Sequence, residues 1–223
     1  MPVNLADSPI FGVLYGSDAM RAVFDDLAFC QRMLDVEAAL ARVQARLGII
    51  PAEAAAAITA AARVENLDTA AMAASVRNVG YPVVGVVAGL SQAAGVHGRW
   101  THWGATTQDI MDTATVLQVQ AGLALVRADL VALVRALARQ ARAHRDTLMA
   151  GRTHLQHALP VTFGLKLATW LAPVAAHVAR LDEIVPRALV AKLDLQTVGE
   201  EGEQIGRKFC GIARNLAWQS RDR

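Results

Sequence analysis

Two short segments of this sequence concentrate side chains that could bind an anion and transfer a proton. The first is WTHWGATTQDIMDTA, residues 100–114, and the second is GRTHLQHALPVTFG, residues 151–164. Hydroxyl, amide and guanidinium groups donate hydrogen bonds to carboxylates, and an imidazole titrates near neutral pH. The chain around them is 54% hydrophobic, so two such polar clusters need an explanation. They form the candidate site.

The first segment is predicted to lead into a long helix, with Asp109 as the N-cap. Backbone N–H groups at a helix start are unpaired and carry a partial positive charge, which favours a bound anion. Thr106 and Thr107 would add hydroxyl donors, and His102 would add an imidazole. The alternative is an ordinary capped turn, because Thr and Asp are common capping residues and a lone histidine is more often part of a core. On composition alone, the capped turn is the commoner outcome.

The second segment carries Arg152, Thr153, His154 and Gln156 shortly before Pro160. A helix is predicted to start after Pro160, which would put these side chains at a second helix start. Their donors could hold carboxylates, and the imidazole could move a proton near neutral pH. For His154 the alternative is again a histidine with a structural role in the core.

No metal ligand is assigned in either segment. His154 and His157 are three residues apart, as in some metal sites, but Pro160 disfavours helical geometry just before it. No carboxylate-rich motif follows, and the sequence has neither a glycine-rich phosphate loop nor a G-x-S-x-G nucleophile turn. Proton transfer without a metal is the chemistry that the two segments favour.

The spacing of apolar residues predicts an all-α chain. Helices are expected over about residues 18–47, 52–63, 66–74 and 110–144, and from the residue after Pro160 to about residue 185. Residues 77–85, which include a glycine and a proline, are expected to be irregular. No alternation of useful length predicts a strand. Pro173 is expected to kink the last helix unless local geometry compensates.

The helix expected at residues 110–144 would be about 50 Å long at about 1.5 Å per residue. It carries no charge between Asp112 and Arg127, and its aliphatic residues point to all sides. A helix that is apolar all round must be buried all round. One chain of this size supplies too few neighbours, so we predict a helical bundle formed between subunits.

Composition excludes several classes of protein. The chain has 223 residues and a formal net charge of +2, with no Lys/Arg run that would favour nucleic acid. No basic residue precedes Arg21, which argues against a signal peptide, and no stretch is apolar and long enough to cross a membrane. Cys30 and Cys210 lie far apart without metal-type spacing and are expected to be free thiols. The prediction is a soluble, cytoplasmic protein.

In sequence, the two segments resemble the first two signature blocks of the fumarase/aspartase superfamily of lyases. THWGATTQDIMDTA is similar to the first block, and GRTHLQHALPVTFGLKLATW, which follows it in the same order, is similar to the second. The resemblance runs from residue 17 to about residue 185. The flanking stretches NVGYPVVGVV and WQSRDR are most similar to the bacterial branch that cyclises 3-carboxy-cis,cis-muconate. Adenylosuccinate lyases are a near neighbour, but they carry an Arg-His-Asp motif where this chain has residues 78–82.

The resemblance implies a reaction and a set of residue roles. One substrate carboxylate oxygen would add across a double bond to give a muconolactone, in protocatechuate catabolism by the β-ketoadipate pathway, without cofactor or metal. The implied partner is a small polycarboxylate, and the implied assembly is a homotetramer whose sites are each built from three subunits. The implied roles are one catalytic residue, His154, and five substrate-binding residues: His102, Thr106, Thr107, Thr153 and Gln156.

The carboxyl end of the chain departs from the family. The third block, a mobile loop with the catalytic serine, has no counterpart in residues 191–223. Residues 1–108 are predicted to form an N-terminal helical domain, and residues 109–223 part of a long-helix bundle domain that lacks the lid loop and the C-terminal domain. These 223 residues alone are therefore expected to be inactive. Two alternatives stay open: another fumarate-releasing enzyme such as an adenylosuccinate lyase-like C–N lyase, and a non-catalytic helical assembly fragment.

Overall fold

Helices dominate the described chain, as the sequence predicts for an all-α protein. The computed structural model describes Leu5 and residues 8–189. The helices are α1 (Asp18–Val23), α2 (Asp26–Arg46), α3 (Ala52–Ala61), α4 (Thr69–Val79), α5 (Val83–Ala93), α6 (Thr107–Ala143) and α7 (Phe163–Ala188). Short 3-10 turns lie at Gly12–Leu14, Val64–Asn66 and Gly95–Trp100. Strands β1 (Leu148–Thr153) and β2 (Gln156–Thr162) form an antiparallel hairpin between α6 and α7.

The described residues fall into two compact units. One contains the residues up to Ala121 together with Leu189, and the other is Gly122–Ala188. The boundary lies within α6, so this helix contributes its first part to one unit and its second part to the other. The predicted domains, residues 1–108 and 109–223, concern the whole protein and stay a prediction.

The core of the first unit is built around α2. Apolar residues recur along this helix at spacings of three and four, which puts them on one face. The largest side chains buried in this core come from four helices: Met33, Leu34 and Leu40 of α2, Ile58 of α3, Leu90 of α5 and Ile110 of α6. Burying one such side chain contributes about 1.5–3 kcal/mol. Helix α2 is therefore the central helix of this core, and the neighbouring helices pack against it.

The prediction of a single helix over residues 18–47 is wrong at one point. Helix α1 ends at Val23 and α2 begins at Asp26. Between them, the Asp25 carboxylate accepts a hydrogen bond of 2.9 Å from the backbone N–H of Leu27 and caps α2. An aspartate that can cap a new helix competes with continuation of the old one.

The predictions for residues 66–74 and 77–85 also need correction. Helix α4 begins after Asp68, whose carboxylate accepts hydrogen bonds from two backbone N–H groups, and it runs on to Val79. Residues 77–85 are mostly helical, because only Gly80–Pro82 separates α4 from α5. Gly80 ends α4 with φ of +88°, a left-handed conformation that glycine adopts without strain. The glycine and the proline thus lie in a tight three-residue connection between α4 and α5, and not in a long loop.

The β-hairpin was not predicted from the sequence, so the expectation of no strand is wrong for this segment. Ala150 pairs with Pro160 and Arg152 with His157, with an irregularity between the two pairs. Most side chains on the strands are exposed. A strand whose two faces are both exposed in the chain has no alternation of apolar and polar residues for a sequence pattern to detect.

Helix α7 begins at Phe163, two residues later than the start predicted directly after Pro160. The Thr162 hydroxyl accepts a hydrogen bond of 3.1 Å from the backbone N–H of Leu165 at this start. The helix continues through Pro173 to Ala188. A Cβ on Gly164 would lie 2.6 Å from the carbonyl oxygen of Ala141, so the beginning of α7 needs glycine to approach the end of α6.

Two composition-based predictions can be compared with the described part of the chain. Cys30 is a free, buried thiol, as predicted, whereas Cys210 lies outside the described residues. The predicted absence of the family's serine loop concerns residues 191–223, which also lie outside them. No helix that the structure describes is both long and apolar enough to cross a membrane.

Candidate functional site

The first polar segment forms a loop between the 3-10 turn at Gly95–Trp100 and α6. Two of its residues have left-handed backbone conformations, His102 with φ of +60° and Gly104 with φ of +69°. For a residue with a side chain, this conformation costs about 1 kcal/mol or more and persists only when the surroundings hold it in place. The left-handed conformation of His102 therefore needs a stabilising contact.

That partner is Glu37 of α2, whose side chain is only 1% exposed. Its Oε2 accepts a hydrogen bond of 3.1 Å from the backbone N–H of His102, and its Oε1 lies 2.5 Å from Nδ1 of the same residue. A carboxylate can only accept, so Nδ1 carries the proton. One buried side chain thus fixes both the backbone and the ring of His102.

The same contact changes the charge of the ring. Burial alone lowers the pKa of His102, but the hydrogen bond and the charge of Glu37, together with the charge of Asp109, raise the pKa above the ordinary value of 6.5. The imidazole therefore keeps its proton to a higher pH than a free histidine does. When it is protonated, both ring nitrogens are donors, and the loop presents a cation.

The start of α6 differs from the prediction. The helix begins at Thr107, so Asp109 is not the N-cap but lies in the first turn. Its Oδ2 accepts a hydrogen bond of 2.9 Å from the backbone N–H of Thr106, and its own N–H donates to the carbonyl of Thr106 at 3.1 Å. This reciprocal arrangement is half of a capping box. Asp109 is buried and holds the turn, whereas Thr106 is exposed and Thr107 half-buried at the helix start.

Reasoning from the sequence missed two polar residues that hold this loop, Glu37 and Gln44. Gln44 Nε2 donates a hydrogen bond of 2.6 Å to the carbonyl of Trp103, in the same loop as His102. Glu37 and Gln44 are seven residues apart, or two turns, and both are buried. The sequence does contain a signal for these two residues, because both lie on the apolar face of α2 that includes Met33 and Leu40. Two long polar side chains in such a face indicate a buried polar contact.

The second polar segment lies in the β-hairpin. The register pairs Thr153 with Gln156 and leaves His154 and Leu155 in the turn, Leu155 with φ of +57°. All four side chains are exposed. The prediction that they lie at a helix start is wrong, because β2 separates them from α7. The reason is local pairing, since the backbone groups around the turn are used by the strand ladder.

The structure therefore places the predicted site residues in two groups. His102, Thr106 and Thr107 lie together in one loop and the following helix start of the first unit, whereas Thr153, His154 and Gln156 lie together at the hairpin turn of the second unit. Among the residues that the structure describes, no group of three or more His, Cys, Asp and Glu side chains could hold a metal ion. The first group offers hydrogen-bond donors at a helix start, and the second offers an accessible imidazole.

Comparison with known proteins adds a family and several relatives. A family model described as Lyase matches residues 15–210. The chain is 45% identical to the 3-carboxy-cis,cis-muconate cycloisomerase of Pseudomonas aeruginosa over 93% of its length, and 41% identical to the adenylosuccinate lyase of Pyrococcus abyssi over 80%. These matches cover 46% and 40% of the two relatives.

A solved structure is also similar to this chain. The crystal structure of the 3-carboxy-cis,cis-muconate lactonizing enzyme from Pseudomonas putida is 39% identical, with a TM-score of 0.87. The match covers 93% of this chain and 49% of that one. The chain thus spans about half the length of the proteins it matches.

Proposed function

The chain belongs to the fumarase/aspartase superfamily of lyases, and on this premise we propose that the complete protein is a cycloisomerase that converts 3-carboxy-cis,cis-muconate to its lactone without a cofactor. The observation that carries the proposal is the imidazole of His102, which Glu37 holds and whose pKa it raises, close in the chain to two threonines at the start of α6. The choice of substrate is supported by the relatives, of which the cycloisomerase of Pseudomonas aeruginosa is 45% identical.

Substrate binding follows from the chemistry of the first group. The hydroxyls of Thr106 and Thr107 are donors for one substrate carboxylate, and the partial positive charge at the start of α6 favours the same group. A protonated His102 adds a charge-assisted hydrogen bond, which is about twice as strong as a neutral one. Donors fixed before the substrate arrives also hold a flexible polycarboxylate in its reactive shape.

The reaction needs one proton and a place for negative charge. As the carboxylate oxygen forms its bond to carbon, the electron pair of the double bond moves onto the adjacent carbon and into a neighbouring carboxylate. Fixed donors aimed at this growing charge lower the barrier. We assign His154 to deliver the proton to that carbon, which completes the lactone. Thr153 and Gln156, register partners at the same turn, would orient the substrate around it.

The proposal includes a homotetramer whose sites draw residues from different subunits. Large apolar side chains are exposed along both helices of the second unit: Val126 and Leu133 of α6, and Leu165, Trp170 and Ile184 of α7. Soluble monomers rarely expose extended apolar surface of this kind. The uncharged stretch of α6 between Asp112 and Arg127 supports the same interpretation. A cytoplasmic location is also part of the proposal, since the free thiol of Cys30 fits a reducing compartment.

A substrate panel tests the proposed reaction. The complete purified protein is expected to consume 3-carboxy-cis,cis-muconate, followed as loss of the ultraviolet absorbance of the conjugated diene, with a lactone as product and no fumarate. Adenylosuccinate, assayed by fumarate release, is expected to give no turnover.

A second candidate is an adenylosuccinate lyase-like activity, which the 41% identity to the enzyme of Pyrococcus abyssi favours. Fumarate release from adenylosuccinate without consumption of the muconate would contradict the cycloisomerase assignment and support this candidate. Turnover of neither substrate would support the non-catalytic assembly protein.

A further inference from the structure

We propose that Glu37 is a positioning residue of the active site, which acts through His102 by fixing the orientation and the positive charge of its ring toward a substrate carboxylate. The inference deepens the proposed function and rests on it in one respect, namely that the substrate is a carboxylate. It concerns a residue on a different helix, 65 positions away in the chain.

The geometry of the Glu37 carboxylate ties it to His102. Both oxygens of Glu37 are used on one residue, with Oε2 receiving the backbone N–H of His102 at 3.1 Å and Oε1 lying 2.5 Å from its Nδ1. At 1% exposure, this carboxylate has almost no water to stabilise its charge. A buried carboxylate is stable only when it is paired and hydrogen-bonded, and a protonated His102 satisfies both conditions.

The pairing with Glu37 leaves one ring nitrogen of His102 available to a ligand. In the protonated ring, Nδ1–H is engaged by Glu37 and the remaining donor is Nε2–H. The side chain of His102 is 21% exposed, so a ligand can reach the ring although Glu37 itself is closed off. The left-handed backbone at φ of +60° is held by the same carboxylate through the N–H bond. Glu37 therefore controls where the donor is and whether it is charged.

Two negative charges act on the ring of His102. They are Glu37 from α2 and Asp109 from the first turn of α6. Asp109 accepts the backbone N–H of Thr106, and its charge raises the pKa of the His102 ring. Glu37 supplies both the hydrogen bond and the larger charge effect, so its replacement isolates the contribution of one residue.

The experiment uses Glu37→Gln in the complete protein, which keeps the size of the side chain and removes its charge. Glu53→Gln is the matched control, because Glu53 is an exposed glutamate in the first turn of α3. Two quantities are measured: the pKa of His102, by NMR titration of isotope-labelled histidine, and the pH dependence of KM and kcat for 3-carboxy-cis,cis-muconate. The His102 resonance is assigned by its loss in His102→Gln.

The expected results follow from the sign of the pKa shift. In the wild type the pKa of His102 lies above 6.5, so KM stays low up to that pKa and rises as the pH passes through it and the ring loses its proton. In Glu37→Gln the pKa falls, the rise in KM moves to lower pH, and KM at neutral pH increases about tenfold, the factor for about 1.4 kcal/mol. The change in kcat is expected to be smaller than that in KM, and Glu53→Gln behaves as the wild type.

Several outcomes would overturn the proposal. A wild-type pKa of His102 at or below 6.5 does so without any variant, even if Glu37→Gln fails to fold. An unchanged pKa in a folded Glu37→Gln does so as well, and so does a lowered pKa with an unmoved KM profile. If the wild type does not turn over the muconate, the proposed function fails by itself. The titration, with the affinity for the saturated tricarboxylate tricarballylate in place of KM, then still decides the role of Glu37.

Discussion

Replacing His154 with asparagine in the complete protein is expected to lower kcat at least about tenfold, with a smaller effect on KM. His154 lies in the turn of the β-hairpin, and its exposed imidazole is the group assigned to transfer the proton. Loss of a positioned proton donor costs about 10²–10⁴-fold in typical enzymes, and water that replaces it can recover part of this loss. Asparagine keeps a polar side chain of similar size but cannot titrate, so the measurement isolates proton transfer.

The matched control is His177→Asn. His177 is an exposed histidine of α7 that pairs with Arg180 of its own helix, and no role in the site is assigned to it. Its kcat is expected to equal that of the wild type. An unchanged kcat in His154→Asn, with the same fold by circular dichroism, would remove His154 from the mechanism.

The second large effect is expected for the double variant Thr106→Val/Thr107→Val. Valine keeps the shape of threonine but removes the hydroxyl that donates to the substrate carboxylate. A hydrogen bond to a charged group contributes about 1.5–3 kcal/mol, so the loss of two is expected to lower kcat/KM about a hundredfold or more. Steady-state kinetics measures this change, and thermal unfolding reports any loss of helix capping at the start of α6.

Thr115→Val provides the control on the same helix. Thr115 is exposed, and its hydroxyl donates to the carbonyl of Met111 within α6, so the same chemical change occurs away from the helix start. Its kcat/KM is expected to stay within about twofold of the wild type, because surface substitutions are usually small in energy. If the double variant behaves like this control, the threonines do not bind the substrate.

The sequence predicts those parts of the fold in which periodic burial dominates. Helices α3 and α6 begin and end within a few residues of their predicted positions, because long apolar repeats leave few alternatives. Where the apolar pattern does not fix a helix boundary, side-chain capping does. Examples are the break between α1 and α2 at Asp25 and the start of α4 after Asp68, later than predicted. These side-chain bonds involve only neighbouring residues, and the same aspartates would also be compatible with a helix interior.

Two features of the candidate site could not be predicted from patterns in the sequence. The hairpin that carries His154 exposes most of both faces, so no alternation marks its strands. The contact between Glu37 and His102 joins residues 65 positions apart, and nothing local identifies the partner. A charged residue in an apolar helix face does indicate that some buried partner exists. The identity of that partner depends on packing, which only the structure supplies.

The most direct test of the account is a crystal structure of the complete protein with tricarballylate bound. We predict that one carboxylate of this ligand contacts Thr106 and Thr107 of one subunit together with the Nε2 of His102. We also predict that the imidazole of His154 of a different subunit lies within about 3.2 Å of the ligand or reaches it through one water, as proton transfer requires. A ligand bound elsewhere, or a hairpin turn whose His154 lies far from every copy of Thr106 and Thr107, would contradict the account.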